Sequence, residues 1–255
     1  PIACIGRDEA GDRLIEHFAG EPDVDMRGLV RYDGRTVTKT RILAGDTNTS
    51  KQQVIRIDRE IETPIPSETR LELRRRLTEI APEVDAIVLS DYEYGLIDDE
   101  MIAFAADIVG DKIVIGDSRY NLKKFKGITL ITPNESEAYA LAGLDGSSDV
   151  EEVGAAIMAS MDVQALLITR GNKGMSLFLR RGGIHHIPIS GSDEIADVTG
   201  AGDTVAAAVA LALASGADFL TASRIANYAA GIVVMKRGTA VATLDELRKA
   251  MSIDE

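Results

Sequence analysis

Four short apolar runs rich in β-branched residues recur along the middle of the chain, and they limit the folds open to it. They are Ala86-Ile-Val-Leu-Ser90, Lys112-Ile-Val-Ile-Gly116, Ile128-Thr-Leu-Ile-Thr132 and Ala165-Leu-Leu-Ile-Thr169. Runs this apolar on both faces belong to strands covered from above and below. Helical patterns lie between and beside them, at Ser67 to Ala81, Asp98 to Val109, Asn134 to Ala142 and Asp149 to Met161. Strands alternating with helices at this spacing predict a parallel sheet with helices on both faces, a three-layer α/β fold. Ligands of such sheets bind beyond the carboxyl ends of the strands, where Asp91 and Asp117 stand.

The ends of the chain follow other patterns. Pro1-Ile-Ala-Cys-Ile-Gly6 reads as part of a strand. Thr36 to Leu43 and Gln53 to Asp58 alternate in polarity, which predicts half-exposed antiparallel strands joined through Gly45 to Lys51. The last third holds two alanine-rich helices, about 203–215 and 221–235, and a short helix from Leu244.

Composition excludes some partners. The 255 residues carry 28 Lys and Arg against 41 Asp and Glu, a net charge of −13, which repels nucleic-acid phosphates. The longest apolar run, Val205 to Ala214, is about half of the roughly 20 residues that span a bilayer. Neither nucleic acid nor membrane is expected as a partner. One cysteine, Cys4, permits no internal disulfide and fits a cytoplasmic protein.

Asp197-Val-Thr-Gly-Ala-Gly-Asp203 is the stretch richest in chemistry. Gly200, Ala201 and Gly202 place backbone N–H groups at the start of a long helix, predicted near Thr204. Orphan amides and the helix dipole there favour an anion. Asp203 beside such a site suits a base that takes a hydroxyl proton. A glycine turn with Asp203 as helix cap is the alternative. Asn134 and Glu137 are spaced as a capping box, a geometry that a metal site can share. Thr169, Gly171 and Gly174 read alone as a β-turn after a buried strand.

In order along the chain, Gly6-Arg-Asp-Glu-Ala-Gly11, Thr132-Pro-Asn-Glu-Ser-Glu137, Thr169-Arg-Gly-Asn-Lys-Gly174, Asp197 to Val205 and Asn227 to Gly238 resemble the motifs of the ribokinase (PfkB) family of carbohydrate kinases. Lys39-Thr-Arg41, Arg56 to Glu60, and Ser90-Asp-Tyr92 with Gly95 resemble its branch of D-glycero-D-manno-heptose 7-phosphate kinases, although Tyr94 replaces that branch's usual Lys.

The resemblance implies a single ribokinase-like domain over 1–255, with a partial β lid at about 36–58, that transfers a phosphoryl group from ATP to C1 of heptose 7-phosphate. It implies Asp203 as base, with Gly200, Ala201 and Gly202 as anion hole. It implies Asn134 and Glu137 at Mg²⁺ through water, Thr169, Gly171 and Gly174 on nucleotide phosphates and ribose, and Asn227 near adenine. Asp197 and Thr199, with Val233, Lys236, Gly238 and Ala242, match a monovalent-cation site (K⁺). Asp91, Lys39 and Arg41, with Arg56, are candidate sugar-phosphate contacts. A homodimer paired through the lid is expected. The family's segment before Gly6, with its Gly-Gly-x-x-Asn sugar grip, has no counterpart here, so the chain reads as an N-terminally incomplete domain that binds ATP yet phosphorylates sugar poorly. The alternatives are another sugar kinase of the family and a non-catalytic nucleotide-binding remnant.

Overall fold

The computed structural model describes residues 1–44, 52–61, 64–110, 112–190 and 196–252. The chain divides into two compact units, Pro1–Pro82 with Tyr94–Met101, and Glu83–Glu93 with Ile102–Glu255.

In the first unit β1 (Ala3–Gly6) pairs in parallel with β2 (Leu29–Tyr32), and α1 (Glu9–Ala19) connects them. Asp8 caps α1 by accepting from Gly11 N, and it also accepts from the Thr36 hydroxyl and amide. These bonds, the Thr36 hydroxyl first, hold its carboxyl below the usual range. The flanking glycines are there for space. A Cβ on Gly6 would stand 2.4 Å from Gly34 O, and one on Gly11 2.3 Å from Gly6 O. Gly6-x-Asp8-x-x-Gly11 is thus a packing knot in this structure.

The predicted alternating strands form β3 (Thr38–Ala44) and β4 (Gln52–Arg59), an antiparallel ribbon with a register shift at Ile42/Leu43. Their expected turn, Gly45 to Lys51, lies outside the described residues. The ribbon leaves Ile42, Val54 and Ile55 exposed. Arg41 faces Arg56 across it, and Lys39 faces Asp58 and lies 5.8 Å from the Tyr94 ring centroid. α2 (Ser67–Ile80) completes the unit, and α3 (Asp99–Val109) runs from it into the second.

The second unit contains the four apolar runs as parallel strands β5 (Ala86–Asp91), β6 (Ile113–Ser118), β7 (Ile128–Ile131) and β8 (Val163–Thr169). Two antiparallel strands, β9 (Met175–Leu179) and β10 (Gly183–Ile187), extend the sheet to the order β10-β9-β8-β7-β6-β5. The sequence pattern did not predict these two. β9 is too apolar to alternate, and β10 is too exposed to form a buried run.

The pleat sorts each strand's side chains. Ala165, Leu167 and Leu177 pack with α6 (Ala201–Ala214) and α7 (Phe219–Val234). Phe178 points to the opposite side, against α5 (Val150–Ser160), where a Cβ on Gly154 would meet its ring at 2.2 Å. α4 (Glu135–Ala142) and α8 (Leu244–Met251) complete the helices. The unit has the ribokinase-like α/β architecture, a mainly parallel sheet between helices. No helix among the described residues is long and apolar enough to cross a membrane.

Candidate active site

The carboxyl ends of β5 to β8 deliver Asp91, Asp117, Thr132 and Thr169 to one edge of the second unit's sheet. Neighbouring loops are stitched together there by Thr132 N to Gly116 O and Thr169 N to Pro133 O. Above this edge lie two cavities of about 530 and 380 Å³. Both are lined by Asn134, Thr169, Val198 and Gly202, so they are chambers of one cleft.

The larger chamber is polar, with Asp117, Arg119, Glu137 and Asp203 in its wall. Burial first, and then the charges of Asp203 and Glu137, push the Asp117 carboxyl up to about 6, although the Thr132 hydroxyl opposes them. Burial also raises Glu137. The smaller chamber is walled by Met175, Ile189, Val205, Ala230 and Val234, with Asn227 among them.

The shared wall includes the start of α6. Gly200, with φ 81°, is the N-cap, a left-handed conformation that glycine adopts without strain. The helix begins at Ala201 rather than near Thr204, and Asp203 sits in its first turn, so Asp203 is not the cap. Its carboxylate instead accepts from the Tyr92 hydroxyl at 2.7 Å. Burial, then this bond and the Asp203 charge, raise the Tyr92 phenol above its ordinary value. Ala201 N donates to Val198 O at 3.3 Å, and the first turn of the helical ladder is Thr204 N to Gly200 O. The amides of Gly202 and Asp203 precede that ladder, so they, rather than the Ala201 amide, are the donors placed for an anion.

Asn134 and Glu137 form the capping box of α4, with Glu137 N on Asn134 Oδ1 and Asn134 N on Glu137 Oε2, each at 2.9 Å. Both also line the polar chamber. Gly171 and Gly174 shape the apolar one. Gly174 has φ 79°, and a Cβ there would lie 2.1 Å from Ile187 O, so the turn itself demands a glycine. Asn227 is buried and donates to Pro188 O at 2.8 Å. Its amide therefore holds the β10–α6 connection as well as lining the cavity.

Asp197 works as a clasp. Its oxygens accept from Thr199 N at 2.9 Å and Gly238 N at 3.1 Å, drawing together three of the residues expected at a cation site. Of the others, Lys236 is turned to Val241 O and Glu246. Asp91, expected at the substrate, is only 5% exposed, and its carboxylate accepts from Glu93 N, Ser118 Oγ and Asn121 Nδ2. It builds the loop and also lines the polar chamber. Lys39, Arg41 and Arg56 belong to the first unit.

Tyr92 and Arg119 of the polar wall were given no role from the sequence, and Asp117 was given only a place at a ligand-binding strand end. Asp117 had a signal, its place at a strand end. Arg119 had none. The apolar wall joins residues 175, 205, 230 and 234, whose apolar side chains cannot be told from ordinary core in the sequence.

Comparison with known proteins agrees with this architecture. The pfkB family carbohydrate kinase model matches residues 2–246. The Bifunctional protein HldE of Geobacter metallireducens is 38% identical over 255 residues, with 98% of this chain and 51% of that protein covered. That of Caulobacter sp. is 38% identical over 252 residues, covering 96% and 50%. The chain thus spans about half the length of these curated relatives. Among solved structures, phosphofructokinase-2 from Escherichia coli in complex with potassium superposes with a TM-score of 0.79 at 19% identity, covering 99% of this chain and 81% of that one. Ribokinase from Arabidopsis thaliana complexed with ribose and ATP gives 0.74 at 22%, covering 98% and 80%. With the model spanning nearly its whole length, the chain belongs to the PfkB family of carbohydrate kinases, sugar kinases that use ATP and a divalent metal.

Proposed function

We propose that the chain is the kinase domain of a D-glycero-D-manno-heptose 7-phosphate kinase, phosphorylating the C1 hydroxyl. One observation carries the kinase chemistry. The Asp203 carboxylate and the helix-start amides of Gly202 and Asp203 lie where a polar chamber meets an apolar one. A nucleotide laid through the cleft would put its base beside Val205, Ala230 and Val234 and its terminal phosphate at those amides. The heptose rests on likeness to the HldE proteins over about half their length and on the resemblance of Lys39-Thr-Arg41 and of Arg56 to Glu60 to the motifs of that branch.

In the reaction the acceptor oxygen forms a bond to the γ-phosphorus as the bond to the ADP oxygen breaks. Asp203 takes the hydroxyl proton. The Gly202 and Asp203 amides hold the phosphoryl oxygens where negative charge gathers, a positioning task typical of phosphoryl transfer. A magnesium ion would neutralise phosphate charge, and the carboxylates of Asp117 and Glu137 are the hard oxygen donors that suit it through water. Glu137 keeps Asn134 aligned through the capping box. Asp197 and Thr199 would reach a potassium ion only with lone pairs left over from the clasp, so no step is assigned to one.

We also propose a cytoplasmic homodimer joined through the β3–β4 ribbon, whose exposed Ile42, Val54 and Ile55 would be covered by a second copy. Light scattering of an Ile55→Lys variant, expected to be monomeric, checks that arrangement.

The decisive experiment is a phosphorylation screen over heptose 7-phosphate, fructose 6-phosphate, ribose and adenosine, run on the protein with the family's N-terminal sugar-gripping segment present, as wild type and as Asp203→Asn. Heptose 7-phosphate should give the highest kcat/KM, and the variant should lose turnover while binding ATP. A preference for another acceptor would replace the heptose. ATP binding with no turnover on any acceptor would favour a non-catalytic nucleotide-binding protein.

A further inference from the structure

We infer that Tyr92 is a positioning residue of this site. Its phenol holds Oδ1 of Asp203 and so leaves Oδ2 for the acceptor hydroxyl. The inference rests on the reading of Asp203 as the base.

A carboxylate on the first turn of a helix has two rotatable bonds and two equivalent oxygens. Left alone it samples several orientations, and only some are productive. The Tyr92 bond, at 2.7 Å, has the length of a charge-assisted O–H···O⁻ contact. Burial and the neighbouring Asp203 charge keep the phenol protonated, so it stays a donor.

Tyr92 is itself held from behind. It follows Asp91, whose buried carboxylate is anchored by Ser118 and Asn121 on the β6 side. The same carboxylate takes the Glu93 amide at 2.9 Å and folds the chain back on itself. Glu93 is the non-glycine residue with a left-handed backbone among those described, at φ 62°. Such a conformation is unfavourable, and it persists where the surroundings over-determine it. Asp91 and Glu93 therefore brace a short arm that ends at Oδ1 of the base. This gives Ser90-Asp91-Tyr92 a purpose as a unit: Asp91 builds the arm and Tyr92 is its tip.

Tyr92→Phe keeps the ring and removes the donor. Losing a hydrogen bond to a charged group should lower kcat about 10-fold or more, with the acceptor KM, the nucleotide Kd and the melting temperature unchanged. Asp203→Asn is measured beside it. In protein labelled with ¹³Cζ-tyrosine, the resonance lost in Tyr92→Phe should move in Asp203→Asn. The inference is overturned if that resonance stays put, or if Tyr92→Phe turns over like wild type while Asp203→Asn does not. It is overturned as well if Tyr92→Phe raises KM instead of lowering kcat. Full turnover in Asp203→Asn would instead remove the base itself, and the inference with it.

Discussion

In the polar chamber burial first, and then the charges of Asp203 and Glu137, raise the Asp117 carboxyl, whereas the chamber beyond Gly202 is walled by Met175, Val205 and Val234. One chamber concentrates like charge, and the other has almost no charge. Like charges gathered in one partly buried wall oppose folding and are relieved when a cation or a proton arrives. Apolar walls need no such relief, and they favour a flat, largely apolar ligand surface. Chemistry and affinity should therefore separate along the cleft, and substitutions on the two sides should move different quantities.

The largest effect is expected from Asp203→Asn. It should lower kcat by about 10²–10⁴-fold, the usual worth of a general base, with nucleotide affinity nearly kept. Stopped-time product assays and calorimetric titration with an ATP analogue read the two quantities. Equal losses in both would mean that the chambers do not divide the work.

Glu137→Gln comes next. Gln retains an acceptor for Asn134 N, so the capping box and the melting temperature should survive. Removing the charge should raise the Mg²⁺ concentration for half-maximal rate by roughly 10-fold, as for other outer partners of a metal. A lower melting temperature with an unchanged Mg²⁺ requirement would leave Glu137 as a cap alone.

On the apolar side, Ala230→Leu should crowd the cavity by about 1–3 kcal/mol, raising the nucleotide Kd about 10-fold or more at unchanged kcat under saturation. A fall in kcat at saturating nucleotide would show that this wall also positions the reacting phosphate.

The comparison also explains what could be read from the sequence. β5 to β8 were legible because a strand buried on both faces has to be apolar throughout. A helix start at Gly200 to Asp203 was legible because a left-handed cap calls for glycine and the alanine-rich stretch beyond it favours helix. The direction of individual bonds was not. Ala201 N turns back to Val198 O, and Asp91, a carboxylate at a strand end like Asp117, spends its oxygens on Ser118, Asn121 and Glu93. Which of two such aspartates keeps its oxygens for a ligand depends on residues about 30 positions away. The apolar wall was illegible because Val205 and Val234 obey the same helical periodicity as the core residues beside them.

The smallest effect is on stability, and it sets a sign for the charge in the polar chamber. The folded Asp117 carboxyl titrates near 6, against about 3.9 for an aspartate in an unfolded chain. The native state therefore holds a proton that the unfolded state has released between about pH 4 and 6. Stability contributed by this group is fully present below the unfolded value and falls as pH rises through the folded one. Asp117→Asn has no proton to lose. Its stability relative to wild type should grow across that window and level off above it, at about 1–2 kcal/mol after allowance for solvent screening of a partly exposed group. Urea unfolding of both proteins at several pH values from about 4 to 8 would trace the difference. A difference that stays flat across the window would mean that neither burial nor the charges of Asp203 and Glu137 raise Asp117, and the contrast between the two chambers would reduce to their shapes.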